Sequence, residues 1–305
     1  MQSQSKYIEI YKNTQLVFEE ILNIIENLYE RYTPKEIKCR KNRHLQKQAD
    51  SVIISCVVWG MMNGLTTQRA IYRSVRSTLN IGNFPERSRF NRLCNHLVIA
   101  IKIIRLRFVI EYANPKAELF AIIDSFPSPL CKPIRNRRAK VLSQIADIGY
   151  NSTKKQLYYG LKVSAMVTKT GYPLAYTVTK ASIHDINMVE TLSYEYAIRK
   201  LLGDKGYISS SLQEKLAKRH IILSTPVRKN SKTQKKVDDH LLSEHRKVIE
   251  TVFSSWEKLG AQSFKSRSLS GVESRFECLL LVYCLMLNKA QKRYGNTLRY
   301  SLGYF

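Results

Sequence analysis

Three acidic side chains stand where the local sequence gives them little company. Asp124 closes the apolar run "FAII", Asp204 closes "KLLG" and opens "DKGY", and Glu250 lies within "RKVIETVF". Two short apolar runs stopped by an acid read as strands. If those strands are neighbours, Asp124 and Asp204 meet at one edge of a sheet. A helix packed across that edge brings Glu250 near, since Glu250 flanks a stripe marked by Ile249, Phe253 and Trp256. Three carboxylates so close repel one another, and a divalent cation relieves the repulsion. Oxygen-only ligation with open positions suits Mg²⁺ or Mn²⁺. Two such ions about 4 Å apart activate a hydroxyl and stabilise the leaving oxygen at a phosphodiester. Plainer roles compete. A strand-end Asp commonly forms a turn or caps a helix, and Glu250 has Arg246 four residues before it as an ion-pair partner.

Cations flank these acids in the sequence. "CKPIRNRRAK" carries Lys132, Arg135, Arg137, Arg138 and Lys140, and "RKNSKTQKK" carries Arg228, Lys229, Lys232, Lys235 and Lys236. A charge run is usually a solvated face, but two runs beside a metal site make a phosphate track. Lys205 is a further candidate for a phosphate contact. Tyr158, Tyr159 and Tyr207 are candidates for stacking on bases, with strand packing the competing role of the first two. Asp185, after His184, reads as a helix cap and stays outside the triad. Ser125 has no GxSxG context and no paired His, so it is not read as a nucleophile.

The elements that must position these groups follow from periodicity. Residues 7–32 have helical spacing, "DSVIISCVVWGMMNG" reads as a buried helix ending at Gly64, and "TTQRAIYRSVRSTL" as another. One or two more helices follow Pro85. The first 110 or so residues are therefore helical and basic. The pattern then becomes strand ("LFAIIDSFP"), a hairpin of "QLYYGLKVSAMVT" and "KTGYPLAYTVTKA", and a helix capped by Asp185. Strand "KLLGDKGY", helix "SSSLQEKLAKRH" and strand "IILSTPV" come next. An exposed basic loop precedes the helix "LSEHRKVIETVFSSWEKLG" and a last, buried helix "RFECLLLVYCLMLNKAQKRY". The expected fold is α/β, one mixed sheet flanked by helices and preceded by an all-helical domain. The boundaries are 1–112 for the helical region, 113–292 for the sheet domain and 293–305 for a tail.

Composition narrows the partner. Among 305 residues, 50 Lys and Arg stand against 24 Asp and Glu, a formal charge of +26. Such a field attracts polyanions, nucleic acid first. The six cysteines, Cys39, Cys56, Cys94, Cys131, Cys278 and Cys284, show no CxxC or Cys/His ligand spacing and read as reduced core thiols. The longest apolar runs fall short of the roughly 20 residues that span a bilayer. The expectation is a soluble, intracellular protein with no membrane partner.

"AIIDSFPSPLC", "LLGDKGYIS" and "HRKVIETVFSSWEKLGA" together resemble the DDE transposases of bacterial insertion sequences, most closely the IS982 family. The resemblance covers about residues 85–290, with 80 residues between Asp124 and Asp204 and 46 between Asp204 and Glu250. It implies an RNase H-like core holding two Mg²⁺ or Mn²⁺ ions on Asp124, Asp204 and Glu250. It also implies metal-dependent strand cleavage and transfer at element ends, with Arg246 on DNA phosphate or orienting the site. Where some related groups carry Tyr and Lys around the Glu, this chain has Ser243 and Glu257, with Lys258 adjacent. The implied partner is double-stranded DNA, as terminal inverted repeats and target, bound in bacterial cytoplasm by a homodimer or higher oligomer. Residues 1–112, with Arg40, Lys41, Arg43, Arg69, Arg73 and Arg76, would read the ends or form the dimer contact. A nuclease without strand transfer, or a binding protein without catalysis, is the alternative on the same core.

Overall fold

The computed structural model describes residues 2–113, 120–151, 154–194, 196, 198–226, 239–262, 265–298 and 301–302, with the backbone alone at 2–12 and 239–242. Six helices come first: α1 (Gln2–Tyr32), α2 (Lys35–Lys38), α3 (Asp50–Met62), α4 (Gln68–Thr78), α5 (Arg87–His96) and α6 (Val98–Tyr112). A six-stranded sheet follows, with β1 (Phe120–Cys131), β2 (Asp147–Asn151), β3 (Gln156–Thr168), β4 (Pro173–Lys180), β5 (Lys200–Leu202) and β6 (Ile222–Ser224). Helix α7 (Val189–Ser193) lies between β4 and β5, and α8 (Ser210–Ala217) between β5 and β6. The chain closes with α9 (Asp239–Lys258) and α10 (Leu269–Tyr294). Among the described residues no helix is long and apolar enough to cross a membrane.

The chain forms two compact units, Met1–Phe108 with Ser270–Met286, and Val109–Leu269 with Leu287–Tyr304. The sequence reading gave the whole last helix to the sheet domain. Its residues 270–286 instead complete the helical unit, because a segment apolar on all sides, such as "CLLLVYCLML", has to be enclosed by other helices. Within that unit Arg105 and Glu277 form a fully buried two-pronged pair at 2.7 and 3.2 Å. Helices α3 and α4 are joined through Gly64, whose φ of 74° is left-handed, and Thr67 caps α4 by accepting from the Ala70 N–H. Asp50, buried at the start of α3, accepts from both Arg40 terminal nitrogens, Gln46 and the Tyr29 hydroxyl, and pairs with Arg43. Arg40 and Arg43 therefore clasp the loop after α2 to the core, which is not the DNA-reading part expected of them.

In the sheet unit β3 is antiparallel to β1 on one side and to β2 then β4 on the other, while β5 and β6 run parallel to β1. The β3–β4 hairpin turns at Lys169–Gly171, as the sequence indicates. Strand β1 does not stop at Asp124. It pairs with β3 through Cys131, whereas its pairing with β5 ends at Ile122 opposite Leu202. Past Ile122 its β5 side is an open edge, and there Pro127 and Pro129 remove no ladder bond. The short strand β2, with Gly149 at its centre, has no counterpart in the periodicity.

Helix α9 packs on β1 through aromatic rings. Phe126 meets Phe253 at 4.8 Å between ring centroids and Trp256 at 6.2 Å. Trp256 is fully enclosed, beside buried Ile249 and Val252. These contacts fix which turn of α9 faces Asp124. Trp256→Ala is expected to cost about 3–5 kcal/mol, measured by chemical denaturation, and Phe253→Leu markedly less.

Candidate active site

Parallel pairing sets the register of two acids. Ile122 lies opposite Leu202 as the last β1–β5 pair, and Asp124 and Asp204 each follow by two residues. Both side chains line one pocket, with Ile122, Ile123, Leu202, Gly203 and Pro226 from the strand ends and His245, Arg246 and Ile249 from α9. Gly203 is required there, since a Cβ would stand 2.9 Å from the Tyr207 ring. Asp204 also does a turn-former's work. It accepts from the Gly206 N–H at 2.7 Å and caps the 3₁₀ turn Lys205–Tyr207. Asp124 accepts from the Ser125 N–H at 2.8 Å.

Charge crowding marks the spot. The Asp124 carboxyl is raised to about 7, chiefly by burial and further by the nearby Asp204 and Asp185 carboxylates, against the lowering effect of the Ser125 N–H and Arg246. The Tyr207 hydroxyl is buried without a hydrogen-bond partner, and burial together with Asp124, Asp185 and Asp204 raises its pKa well above the ordinary value. That enclosure excludes Tyr207 from stacking on bases, and Tyr158 and Tyr159 are buried strand residues too.

Glu250 lies differently. Its carboxylate accepts from Arg246 Nε at 2.8 Å as an i,i+4 pair, both side chains more than half exposed, and it is not among the pocket-lining residues. The field of Asp124 and Asp204 reaches Arg246 and, after Glu250 itself, raises the guanidinium's pKa. Among the described residues no group of three or more Asp, Glu, His or Cys is close enough to hold a metal ion. Lys205 is exposed beside Asp204. Arg135, Arg137, Arg138 and Lys140 are exposed as well, but they follow Cys131, seven residues beyond Asp124. At about 3.3 Å per residue that is more than 20 Å along the strand, away from the pocket mouth expected of them. Arg228, Lys229, Lys232, Lys235 and Lys236 lie outside the described residues.

Asp185 lies at the site instead of capping the helix that follows it. His184 is the cap, accepting from the Ile186 N–H through Nδ1 at 3.4 Å. The Asp185 carboxylate is thereby left to accept from the Ser125 hydroxyl at 2.9 Å and to pair with Lys162 Nζ at 3.1 Å. The one sequence signal was an acid directly after a residue able to cap.

The family model of the transposase DDE domain matches residues 114–267, half of the chain and the whole stretch that bears these acids. The chain belongs to the DDE transposase family. A cryo-EM structure of the piggyBac transposase synaptic complex with hairpin DNA is similar at 11% identity and a TM-score of 0.42, over 95% of this chain and 77% of that one. No curated protein matches the chain.

DDE transposases generally use divalent metal ions, and the residues of this transposase fit one such ion in part. Asp124 and Asp204 offer two carboxylates in a pocket where their repulsion is only partly met by Arg246. Mg²⁺ is ordinarily held by one or two carboxylates together with water and substrate phosphate.

The raised carboxyl of Asp124 sets a pH dependence. Its folded value exceeds the ordinary 3.8, so the folded chain is increasingly penalised as pH rises from about 4 to about 7, and fully above that. Asp124→Asn is expected to change stability little at pH 4 and to raise it by up to about 4 kcal/mol at pH 8, read from denaturation midpoints. A bound Mn²⁺ would compete with that proton for the carboxylate. It should raise the melting temperature of the wild type more at pH 8 than at pH 5.5, and not that of Asp124→Asn.

Proposed function

We propose that this transposase cuts and joins DNA phosphodiesters at the ends of a mobile element, on an RNase H-like core of the IS982 type. Asp124 and Asp204 would hold Mg²⁺ or Mn²⁺, and Glu250 would complete a two-ion site. The observation that carries the reading is the pairing of β1 with β5, which sets Asp124 and Asp204 at equivalent positions in one pocket, where burial and then the Asp204 charge raise the Asp124 carboxyl. Cations held there would supply charge stabilisation to the attacking and leaving oxygens of a phosphodiester. A six-stranded sheet in which β3 pairs antiparallel with β1, β2 and β4, and β5 and β6 are added parallel to β1, supports the core assignment.

The chain's own residues have definite tasks in this scheme. Arg246 stands on the exposed face of α9 at the pocket, where a DNA phosphate competes with Glu250 for its guanidinium. Losing that partner frees Glu250, one helical turn on, to turn toward the two aspartates. Lys205 reaches a neighbouring phosphate. The helical region, proposed as the end-binding or dimerising part, supplies backbone-tracking charge. Residues 51–110 carry nine Lys and Arg and one acid, Glu86. Arg69, Arg73 and Arg76 are exposed along α4, on the side away from buried Ile71, Tyr72 and Val75. Double-stranded DNA, bound by a homodimer or larger assembly, is the proposed partner.

Asp204→Asn tests the reading. It is expected to abolish Mg²⁺-dependent cleavage of a duplex bearing the sequences that flank the coding region, with duplex binding retained within about twofold. Retained cleavage removes Asp204 from the chemistry. A wild type that binds DNA but neither cleaves nor transfers is the binding-only alternative, and cleavage without strand joining is the nuclease.

A further inference from the structure

The two acid-bearing segments have no sheet hydrogen bonds between them. Pairing of β1 with β5 stops at Ile122 and Leu202, so Asp124 and Asp204 both project from backbone that has already parted. Strand β3 holds the Asp124 segment through the Asp124–Ala165 and Ser125–Ser164 pairs, but no β1–β5 pair sets its distance from Asp204, so another contact has to fix that spacing. The structure holds one group in the right place. Asp185 accepts from the Ser125 hydroxyl at 2.9 Å, and the Ser125 N–H in turn donates to Asp124 Oδ1 at 2.8 Å. The 3₁₀ turn that Asp185 begins, Asp185–Met188, packs against the turn Lys205–Tyr207, which Asp204 caps. Lys162, facing Pro127 across β3 and β1, neutralises Asp185 at 3.1 Å and also donates to the Ile183 carbonyl at 2.8 Å, which locks the approach to that turn.

We propose that Asp185 is a positioning residue: bonded to Ser125 and braced by Lys162, it ties the segment carrying Asp124 to the turn capped by Asp204 and so sets the gap between the two carboxylates. The role rests on the metal-binding function proposed for those aspartates. It differs from ligation in that Asp185 acts through another residue: its Oδ1 accepts from the Ser125 hydroxyl and faces Lys162 Nζ. It also gives Ser125 a task that needs no nucleophile chemistry, since a hydroxyl donor is what Asp185 requires there. Loss of a partner that orients a ligand without touching the metal typically weakens metal affinity 10–100-fold.

The test measures Mn²⁺ binding to the full chain by electron paramagnetic resonance, and the Mg²⁺ dependence of flanking-duplex cleavage, for Asp124→Asn, Asp185→Ala, Asp185→Asn and Ser125→Ala. Asp185→Ala is expected to weaken Mn²⁺ binding about tenfold and to raise the half-saturating Mg²⁺ by a similar factor. The rate at saturating Mg²⁺ and the affinity for duplex should stay within about twofold. Asp185→Asn, which still accepts from Ser125, should recover part of the loss. Ser125→Ala should reproduce part of it and add nothing to Asp185→Ala. A purely structural role would lower the melting temperature and the saturated rate without moving the Mg²⁺ requirement. Should Asp185→Ala fail to fold, Asp185→Asn and Ser125→Ala carry the same comparison. Mn²⁺ binding lost in Asp124→Asn but unchanged in the Asp185 and Ser125 variants overturns the positioning role alone. Mn²⁺ binding that Asp124→Asn leaves intact overturns the metal function of the site and the positioning role with it.

Discussion

Burial of the Asp124 carboxyl beside Asp204 is the constraint on which the site depends. Two parallel strands, β1 and β5, run side by side for three residue pairs and then part, each placing an aspartate two residues past the last pair. Burial and a like-charged neighbour raise the first of these carboxyls to about 7, a cost that an ordinary strand end does not carry. A cation bound there would relieve that cost. What surrounds the pair fits such binding. An apolar floor of Ile122, Ile123, Leu202 and Ile249 excludes water below, and the exposed Arg246 offers a cation above.

Positioning depends on hydrophobic packing that lies away from the pocket. Phe126, on the same face of β1 as Asp124, meets Phe253 and Trp256 and so decides which turn of α9 stands over the site. A sheet residue two positions from the acid thus anchors a helix that is remote in sequence. The helical unit is held by different means. Buried ion pairs, Arg105 with Glu277 and Arg40 with Asp50, specify partners there that apolar packing alone would leave interchangeable. Arginines spent on these internal clasps are unavailable to DNA, whereas the α4 and α5 arginines, with Lys102 and Arg107 of α6, are exposed and contribute to that unit's outward charge.

The sequence disclosed the parts of the site that depend on strand ends. Asp124 and Asp204 were legible because an acid closing an apolar run leaves a visible edge, and the β3–β4 hairpin because Lys-Thr-Gly separates two β-rich runs. The continuation of β1 was hidden by Pro127 and Pro129. Prolines argue against a strand unless one edge is open, and an open edge is a fact of tertiary pairing. The same extension carries Arg135, Arg137 and Arg138 away from the acids. Asp185 was hidden because Asp is the commoner cap and His184 took the task. Glu250 shows the reverse case, in which the sequence offered both an ion pair with Arg246 and a place beside the aspartates, and the structure displays the ion pair. The last helix divides between units because its apolar surface is continuous around the axis, and periodicity cannot say which neighbours cover it.

Anomalous X-ray diffraction from crystals grown with Mn²⁺ tests the central claim most directly, because it locates the ion without relying on activity. The account predicts a manganese peak bridged by the carboxylates of Asp124 and Asp204. A fully Mn²⁺-saturated crystal with no peak between them, or with the ion held elsewhere and the two side chains turned apart, would contradict it.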